Sequence, residues 1–357
     1  MLTSCIVHYT ELEAEACGKD PAEAKLWYYG VSYGTVIGQT LAAMYPERLG
    51  RIILDANVDG VEHYQGFNPS SVEETDDAFA FFFNYCYEAG PELCPLAANA
   101  TSAVSIEHRY QAFIRKLDTE PILIKGDTTI ITGSLLEMAA FKVMYTPNSA
   151  YYALARQIVR LEQGDISELP AFLQVIGIPT LDITKLADDR LQLITCIDTA
   201  GRYALKSLSE YRDAVEHLVE KSTYGARVTA STNVLLCNGL DITPPESQLF
   251  PGFQTTNTSV PILFIGTTGD PVTPVDSAHQ MSELFPGSVV LTQTAPGHSF
   301  AALRSDCTNA YVAAYIKDGS LPEKGTVCGV NVTPADVFST GAEAFKMVAE
   351  ALLAKAG

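Results

Sequence analysis

Ser32 is flanked on each side, two residues away, by a glycine, in the segment Gly30–Gly34 with the sequence Gly-Val-Ser-Tyr-Gly. The apolar run Leu26–Tyr29 before it is typical of a buried strand, and apolar residues recur at helical spacing after it. A serine on such a sharp turn is held in a strained conformation that exposes its hydroxyl, while the N–H groups of the helix start favour developing negative charge. The pattern predicts Ser32 as a nucleophile, with the backbone N–H of Tyr33 as an oxyanion donor.

A serine nucleophile needs a general base and a carboxylate that orients the base. His298 stands in a tight loop between the predicted strand Ser288–Thr292 and a helix. Asp270 follows the preceding predicted strand, Pro261–Gly266. Both residues are therefore expected at the carboxyl ends of parallel strands, where ligands bind. We predict that His298 is the base and that Asp270 is the acid.

Two other carboxylates remain alternatives for the acid, since Asp270 could merely cap the turn before the proline that follows it. Asp276 lies at the start of the next predicted helix, and Asp55 ends the strand after the elbow, a position that carries the acid in some hydrolases. His279 falls inside a predicted helix and is expected at the surface. The remaining histidines are expected to have no catalytic role: His8, His63, His108 and His217.

The elements that must position these residues come in two groups. A strand–helix–strand pattern over residues 26–60 predicts a βαβ unit and hence a parallel sheet. From Val260 onward predicted strands and helices alternate again, with predicted helices at 274–285, 300–317 and 342–354. The sheet is therefore expected to be split along the chain.

The segment between these groups is mostly helical in pattern. Ser71-x-x-Glu74 is expected to open a helix as a capping box, and helices are predicted over 148–163 and 203–221. We predict three parts: residues 1–59 as the N-terminal part of the core, 60–255 as a helical lid, and 256–357 as the C-terminal part of the core.

Composition excludes several functions. The chain has 357 residues, is 47% apolar and carries a formal net charge of −19. A strongly acidic protein is repelled by phosphate backbones and anionic lipids, so neither nucleic acid nor membrane is an expected partner. No apolar run reaches the length of about 18 residues that a membrane span needs. We find no Walker loop, dinucleotide fingerprint or cluster of metal ligands, and we expect no cofactor and no metal.

The cysteines and sequons point to export. Eight cysteines without a CxxC pair, together with N-x-S/T sequons at Asn99, Asn257 and Asn331, favour an oxidising secretory route. The N-terminus, however, has no basic region, no long apolar region and an early run of glutamates, so it is not a signal peptide. Either the protein is cytosolic or its true beginning is absent from this chain.

Several segments resemble the secreted tripeptidyl aminopeptidases and the prolyl-aminopeptidase-like serine hydrolases. The similarity is strong over residues 26–96, which include Trp27–Thr35, Tyr45–Arg48 and Ile53–Asp59, and over residues 256–330. It is weaker through the lid. The chain order serine, aspartate, histidine is also that of the α/β-hydrolases.

This resemblance implies an α/β-hydrolase fold: a mostly parallel sheet with helices on both faces and a large helical lid. It also implies disulfides. The pairs that it suggests are Cys307 with Cys328, Cys86 with Cys94, and Cys196 with Cys237. Cys5 and Cys17 remain for each other or for partners elsewhere.

The chain departs from this family before the elbow. Family members carry several strands and a His-Gly-Gly-Pro loop there, whereas only 29 residues precede Gly30 in this chain and none of them forms such a loop. That loop supplies the second oxyanion donor, and its strands would cover the edge of the elbow strand. We therefore expect an N-terminally truncated chain of a secreted enzyme, whose signal peptide was lost with its beginning.

The implied reaction is acyl transfer to water, with release of short peptides from free N-termini. The substrate would be a peptide or a small ester, because neighbouring families include esterases. Asp198 in the lid is a candidate ligand for a free ammonium group. The alternatives are a secreted carboxylesterase or lipase on the same machinery, and an inactive fragment or binding module without the oxyanion loop.

Overall fold

The computed structural model describes residues 2–124, 130–177, 189–232, 234–238, 240 and 243–356. Its described strands, in chain order, are β1 (Leu26–Ser32), β2 (Leu49–Asn57), β3 (Ile122–Leu123), β4 (Ile130–Ile131), β5 (Leu263–Gly269), β6 (Val289–Pro296) and β7 (Val327–Gly329). Its described helices are α1 (Leu2–Ala16), α2 (Tyr33–Met44), α3 (Gly60–Gln65), α4 (Thr75–Leu93), α5 (Ala103–Thr119), α6 (Gly133–Val143), α7 (Pro147–Glu162), α8 (Leu169–Val175), α9 (Asp189–Thr199), α10 (Leu208–Lys221), α11 (Thr223–Thr232), α12 (Val275–Glu283), α13 (Asp306–Asp318) and α14 (Pro334–Ala356).

The main sheet joins the two ends of the chain. Its strand order is β1-β2-β5-β6-β7, and every pairing in it is parallel. The strands β1 and β2 come from the N-terminal segment, and β5 to β7 come from the C-terminal segment. Parallel pairing places the carboxyl ends of β1, β2, β5 and β6 at one edge of the sheet, which is the edge that the predicted site requires.

Helices cover both faces of this sheet, which confirms the predicted α/β fold class. On one face, Ala42 of α2 and Ala278 of α12 pack against Leu54 and Phe264. On the other face, Tyr315 of α13 packs against the buried side chains of β2, β5 and β6. Strands that are buried on both faces have nearly continuous apolar sequences, and such runs predict a strand.

The edge strand β1 is covered on one face only. Tyr28 points toward α2, and its phenol donates to the carbonyl oxygen of Gly34 at 2.7 Å. Trp27 and Tyr29 alternate with it on the opposite face and are 59% and 50% exposed. The strand that carries Ser32 therefore lies at the edge of the described sheet, beside exposed aromatic surface.

The helical segment between the two halves has its own core. Side chains of α4, α5, α6 and α7 form the largest buried apolar cluster, which includes Phe82 and Tyr151. The C-terminal helix α14 joins this cluster through Val337, Phe338 and Phe345. The last helix of the chain therefore packs on the helical insertion and not on the sheet, because its apolar face meets α7 and α4.

Two predicted helix starts are wrong. The capping box at Ser71 and Glu74 does not form: the Ser71 hydroxyl donates to the carbonyl oxygen of Asn68, and Glu74 accepts the N–H of Val275. The helix predicted from residue 203 begins at Leu208, because Ser207 caps it by accepting the N–H of Glu210.

The helix predicted over 300–317 is interrupted. A short 3₁₀ turn covers Phe300–Ala302, and α13 begins only at Asp306. The break is held by Gln293, whose amide donates to the carbonyl oxygens of Phe300 and Leu303. Neither α1 nor the short strand β7 was predicted.

All three disulfides that the resemblance suggested are formed: Cys86–Cys94, Cys196–Cys237 and Cys307–Cys328. Cys5 lies within α1 and Cys17 directly follows it; both are exposed and free. The described helices include none that is both long enough and apolar enough to traverse a lipid bilayer.

Candidate active site

Ser32 occupies the turn between β1 and α2. Its backbone has φ of 57° and ψ of −125°, a conformation that costs free energy for any residue except glycine. Tyr33 is the first residue of α2, so its N–H lies at the positive end of that helix. The local geometry is that of a nucleophile elbow.

The two glycines of the elbow differ in how strictly they are required. A Cβ on Gly30 would lie 2.5 Å from the carbonyl oxygen of Gly34 and 2.7 Å from the ring of Tyr28, so no larger residue fits there. A Cβ on Gly34 would approach only the Tyr28 hydroxyl, at 3.4 Å. Steric exclusion of a side chain therefore explains the glycine at position 30, but it explains the glycine at position 34 much less well.

Asp270 and His298 meet, as predicted. Asp270 is fully buried in the loop after β5, and its Oδ2 lies 2.9 Å from His298 Nδ1. Its Oδ1 accepts the N–H groups of Val272 and Thr273, at 3.0 and 2.9 Å. Because this fixed carboxylate bonds Nδ1 of His298, Nε2 is the ring nitrogen that remains to accept a proton.

Lid residues and the acid loop surround the imidazole. The Thr273 hydroxyl lies 3.1 Å from His298 Nδ1, beside the Asp270 contact. The backbone N–H of His298 donates to the carbonyl oxygen of Tyr145, whose ring packs edge-on against the imidazole with ring centroids 5.0 Å apart. Gly297 has φ of 111°, and a Cβ there would lie 2.5 Å from the Cβ of Ala302. The His298 imidazole is thus held by contacts from the acid loop, from the lid and from its own backbone.

The electrostatic surroundings favour a protonated His298. Burial alone would lower the pKa of its imidazole, but the carboxylates of Asp270 and Asp55 outweigh both burial and the Lys142 ammonium. The pKa of His298 is therefore raised above its ordinary value. A base of this kind stabilises the imidazolium that forms when it takes a proton from a nucleophile.

The three carboxylates considered for the acid have different surroundings. Asp276 is exposed on α12. Asp55 is fully buried at the end of β2, but its partners are Tyr29, Ser299 and the N–H of Phe300, not the ring of His298. Asp270 alone of the three carboxylates bonds the imidazole.

The histidines with no expected role are mostly at the surface. His279 is exposed on α12, as predicted, and three others are exposed as well: His8, His108 and His217. His63 differs, because it lies beside the elbow in a cluster with a lid carboxylate.

That cluster brings Asp198 of α9 to Tyr33, the residue that follows Ser32. Asp198 Oδ2 accepts the Tyr33 hydroxyl at 2.9 Å and lies 3.0 Å from His63 Nε2. Burial, and then the Asp198 carboxylate, raise the pKa of the Tyr33 phenol, which therefore stays a donor. The disulfide Cys196–Cys237 anchors α9 two residues before Asp198.

One contact of a triad is formed and one is not. Asp270 bonds His298, whereas the hydrogen bonds of the described residues include none between Ser32 Oγ and His298 Nε2. Catalytic hydrogen bonds are often long in the absence of substrate. Within the described ranges, no group of three or more His, Cys, Asp or Glu side chains could hold a metal ion.

Sequence reasoning missed several residues around His298. Thr273 and Tyr145 contact its ring, and Ser299 bonds Asp55, only because of how their loops fold. The sequence predicts no role for His63, because nothing near it in the chain points to a lid carboxylate more than a hundred positions later. The short spacing between Asp270 and Thr273 is the one signal that could have indicated a shared turn.

Residues 222–328 match the model of a family described as TAP-like protein. The matched segment includes Asp270 and His298 and ends before α14. It covers the last part of the lid together with β5, β6 and β7.

Longer similarity relates the chain to bacterial proteins. It is 26% identical over 314 residues to serine protease Hip1 of Mycobacterium tuberculosis, and to the same degree to serine protease Hip1 of Mycobacterium bovis. The alignment covers 85% of this chain and 58% of each relative. The chain therefore spans little more than half the length of the relatives that it matches.

Proposed function

Because the chain is an α/β-hydrolase that carries a TAP-like domain, as the resemblance predicted, we propose that it is a serine hydrolase with Ser32, His298 and Asp270 as its catalytic triad. The observation that supports this most directly is the contact of 2.9 Å between buried Asp270 and His298 Nδ1. Ser32 stands at the same sheet edge, on an elbow with a strained backbone of the kind that clusters at active sites.

The chemistry follows from these positions. Ser32 Oγ attacks the carbonyl carbon of the substrate and passes its proton to His298 Nε2, while Asp270 stabilises the imidazolium. The N–H of Tyr33 donates to the oxyanion of the tetrahedral intermediate. His298 then protonates the leaving group, and water releases the acyl group from Ser32 by the same steps.

Labelling by a fluorophosphonate probe tests this mechanism. The purified protein should be labelled, and both Ser32→Ala and His298→Ala should abolish labelling. Ser320→Ala, which alters an exposed serine beside Asp318, should be labelled like the wild type. A folded wild-type protein that the probe does not label would overturn the proposal.

We propose further that the substrate is a peptide with a free N-terminus, held by Asp198. This carboxylate bonds the side chain of the residue that follows the nucleophile, which places a negative charge beside the reacting carbonyl. Its Oδ2 lies within hydrogen-bond distance of both Tyr33 and His63. Among the described residues, its Oδ1 has no hydrogen-bond partner. An ammonium group is the natural ligand for a carboxylate oxygen in such a position.

A small ester is the second candidate, because His63 lies 3.0 Å from the same carboxylate. A carboxylate that already bonds Tyr33 and His63 has less capacity to bind an ammonium group. Aminoacyl arylamides, their N-acetylated forms and short acyl esters separate the two. A peptidase should require the free amine, and Asp198→Asn should raise KM for amine substrates only; efficient cleavage of acetylated or ester substrates favours the esterase.

Export is the proposed route for this protein. Its three disulfides join six of its eight cysteines, and such bonds persist in oxidising compartments. The sequon residues Asn99, Asn257 and Asn331 are all exposed and accessible to modification. Mass spectrometry of protein from its source, alkylated without reduction, should find these three bonds intact; free thiols at all six positions would contradict export.

A further inference from the structure

Asp55 is a second buried carboxylate beside the base, and the triad does not use it. It is fully buried at the end of β2. Its Oδ2 accepts the Ser299 hydroxyl at 2.5 Å and the Tyr29 hydroxyl at 2.9 Å, and its Oδ1 accepts the N–H of Phe300 at 3.2 Å. Both oxygens are therefore engaged, and two of the three donors belong to the residues that directly follow His298.

The backbone that Asp55 holds is strained. Ser299 has φ of 83° and ψ of 148°, a region that residues with a side chain rarely adopt, and it is 6% exposed. Its hydroxyl donates to Asp55, while its N–H lies 3.4 Å from Asp270 Oδ2. A conformation of this kind persists only where its surroundings fix it, and here two carboxylates do so.

The same contacts link the strand of the nucleophile to the loop of the base. Tyr29 lies on β1, three residues before Ser32, and its hydroxyl reaches across to Asp55 on β2. Asp55 in turn holds Ser299, next to His298. This chain of contacts therefore connects β1 with the loop after β6, two elements that do not pair in the sheet.

We propose that Asp55 is a positioning residue for His298: through Ser299, Phe300 and Tyr29 it sets where the imidazole lies relative to Ser32. This inference rests on the proposed function, since it concerns the base of that mechanism. Misplacement of a catalytic group by about 1 Å lowers rates on the order of 100-fold, so a residue that fixes the base matters without touching substrate.

Asp55 also acts on His298 through its charge. The groups that face Asp55 are Tyr29 from β1, Ser299 and His298 from the loop after β6, and Asp270 from the loop after β5. Burial raises the pKa of Asp55 to about 6, although its three hydrogen bonds oppose that rise. Its negative charge raises the pKa of His298, against the opposite effect of Lys142.

The test compares variants that remove the charge with variants that remove one bond. In Asp55→Asn, which keeps the shape, we expect kcat to fall on the order of 10- to 100-fold with little change in KM. The pKa of His298, followed by NMR, should fall, and the acidic limb of kcat/KM should move to lower pH. Ser299→Ala and Tyr29→Phe keep the Asp55 carboxyl group and remove one donor each, so kcat should fall while the pKa of His298 changes less than in Asp55→Asn. Asp318→Asn, which alters an exposed aspartate on α13, is the matched control and should behave like the wild type.

Unchanged kcat, pH profile and His298 pKa in a folded Asp55→Asn protein would overturn the inference. If that variant does not fold, Ser299→Ala and Tyr29→Phe decide, and unchanged kcat in both overturns it. A wild-type protein that no fluorophosphonate labels would instead contradict the proposed function. In that case NMR of Asp55→Asn still tests the inference. An unchanged pKa of His298 in this variant would show that Asp55 and His298 are not coupled.

Discussion

The hydroxyl of Thr75, in the first turn of α4, donates a hydrogen bond of 2.8 Å to the carbonyl oxygen of Pro271, directly after Asp270. Both groups are buried. The neighbouring Glu74 accepts the N–H of Val275 at 3.1 Å. The start of the lid helix α4 is thus bonded to both ends of the loop that presents Asp270 and Thr273 to His298.

Thr75→Val should loosen this loop. Valine keeps the shape of threonine but leaves the buried carbonyl of Pro271 without its donor, which costs about 1–3 kcal/mol. We expect the free energy of unfolding to fall by an amount in that range, and kcat to fall several-fold because Asp270 is held less firmly. Chemical denaturation and steady-state kinetics measure both effects. If the free energy of unfolding and kcat of Thr75→Val both equal the wild-type values, the lid does not support the acid loop.

Glu74 should make stability depend on pH. Burial, and then the charges of Asp270, Asp276 and Asp77, raise the pKa of its carboxyl group to about 8. Between the ordinary glutamate pKa and this value, the folded protein binds more protons than the unfolded chain. The contribution of Glu74 to stability therefore falls as pH rises through that window, and it levels off above it.

Glu74→Gln removes this titration while keeping an oxygen that can accept the N–H of Val275. The unfolding free energy of the variant should fall less than that of the wild type between pH 5 and pH 8. Denaturation at a series of pH values measures the difference. Parallel curves for the two proteins would show that Glu74 does not titrate in this range.

The sequence predicted the features that depend on short segments. The strand, elbow and helix around Ser32 are contiguous, and apolar runs identify strands that are buried on both faces. Asp270 and His298 could be paired because each follows a strand and parallel neighbours end at one edge.

What the sequence did not predict depends on contacts between distant segments. Glu74 has the spacing of a capping residue, yet it bonds Val275, because the lid helix packs on the acid loop. Asp55 is one of the alternatives for the acid, yet it bonds Ser299, because the conformation of the loop after β6 determines which carboxylate contacts the His298 ring. No periodicity or spacing encodes such loop geometry.

The two elbow glycines give a matched pair of variants. Gly30→Ala would place a Cβ 2.5 Å from a carbonyl oxygen, and overpacking of this kind costs about 1–3 kcal/mol. The elbow must shift, so fluorophosphonate labelling of Ser32 should slow greatly. Gly34→Ala has space for its Cβ and should be labelled at nearly the wild-type rate. Equal labelling of the two variants would contradict the steric account of the elbow.

The disulfides should differ in how much they stabilise the protein. Cys196 and Cys237 are separated by 41 positions, whereas Cys86 and Cys94 are separated by 8. In the chain-entropy model, loops of these sizes correspond to about 4 and about 2.5 kcal/mol of stabilisation. The double variant Cys196→Ser/Cys237→Ser should therefore lose more unfolding free energy than Cys86→Ser/Cys94→Ser.

The double variant Cys196→Ser/Cys237→Ser should also raise KM for substrates with a free amine, because Cys196 anchors the helix that carries Asp198. Denaturation of both double variants and arylamide kinetics measure the two effects, and a larger loss for the short loop would contradict the entropic ranking.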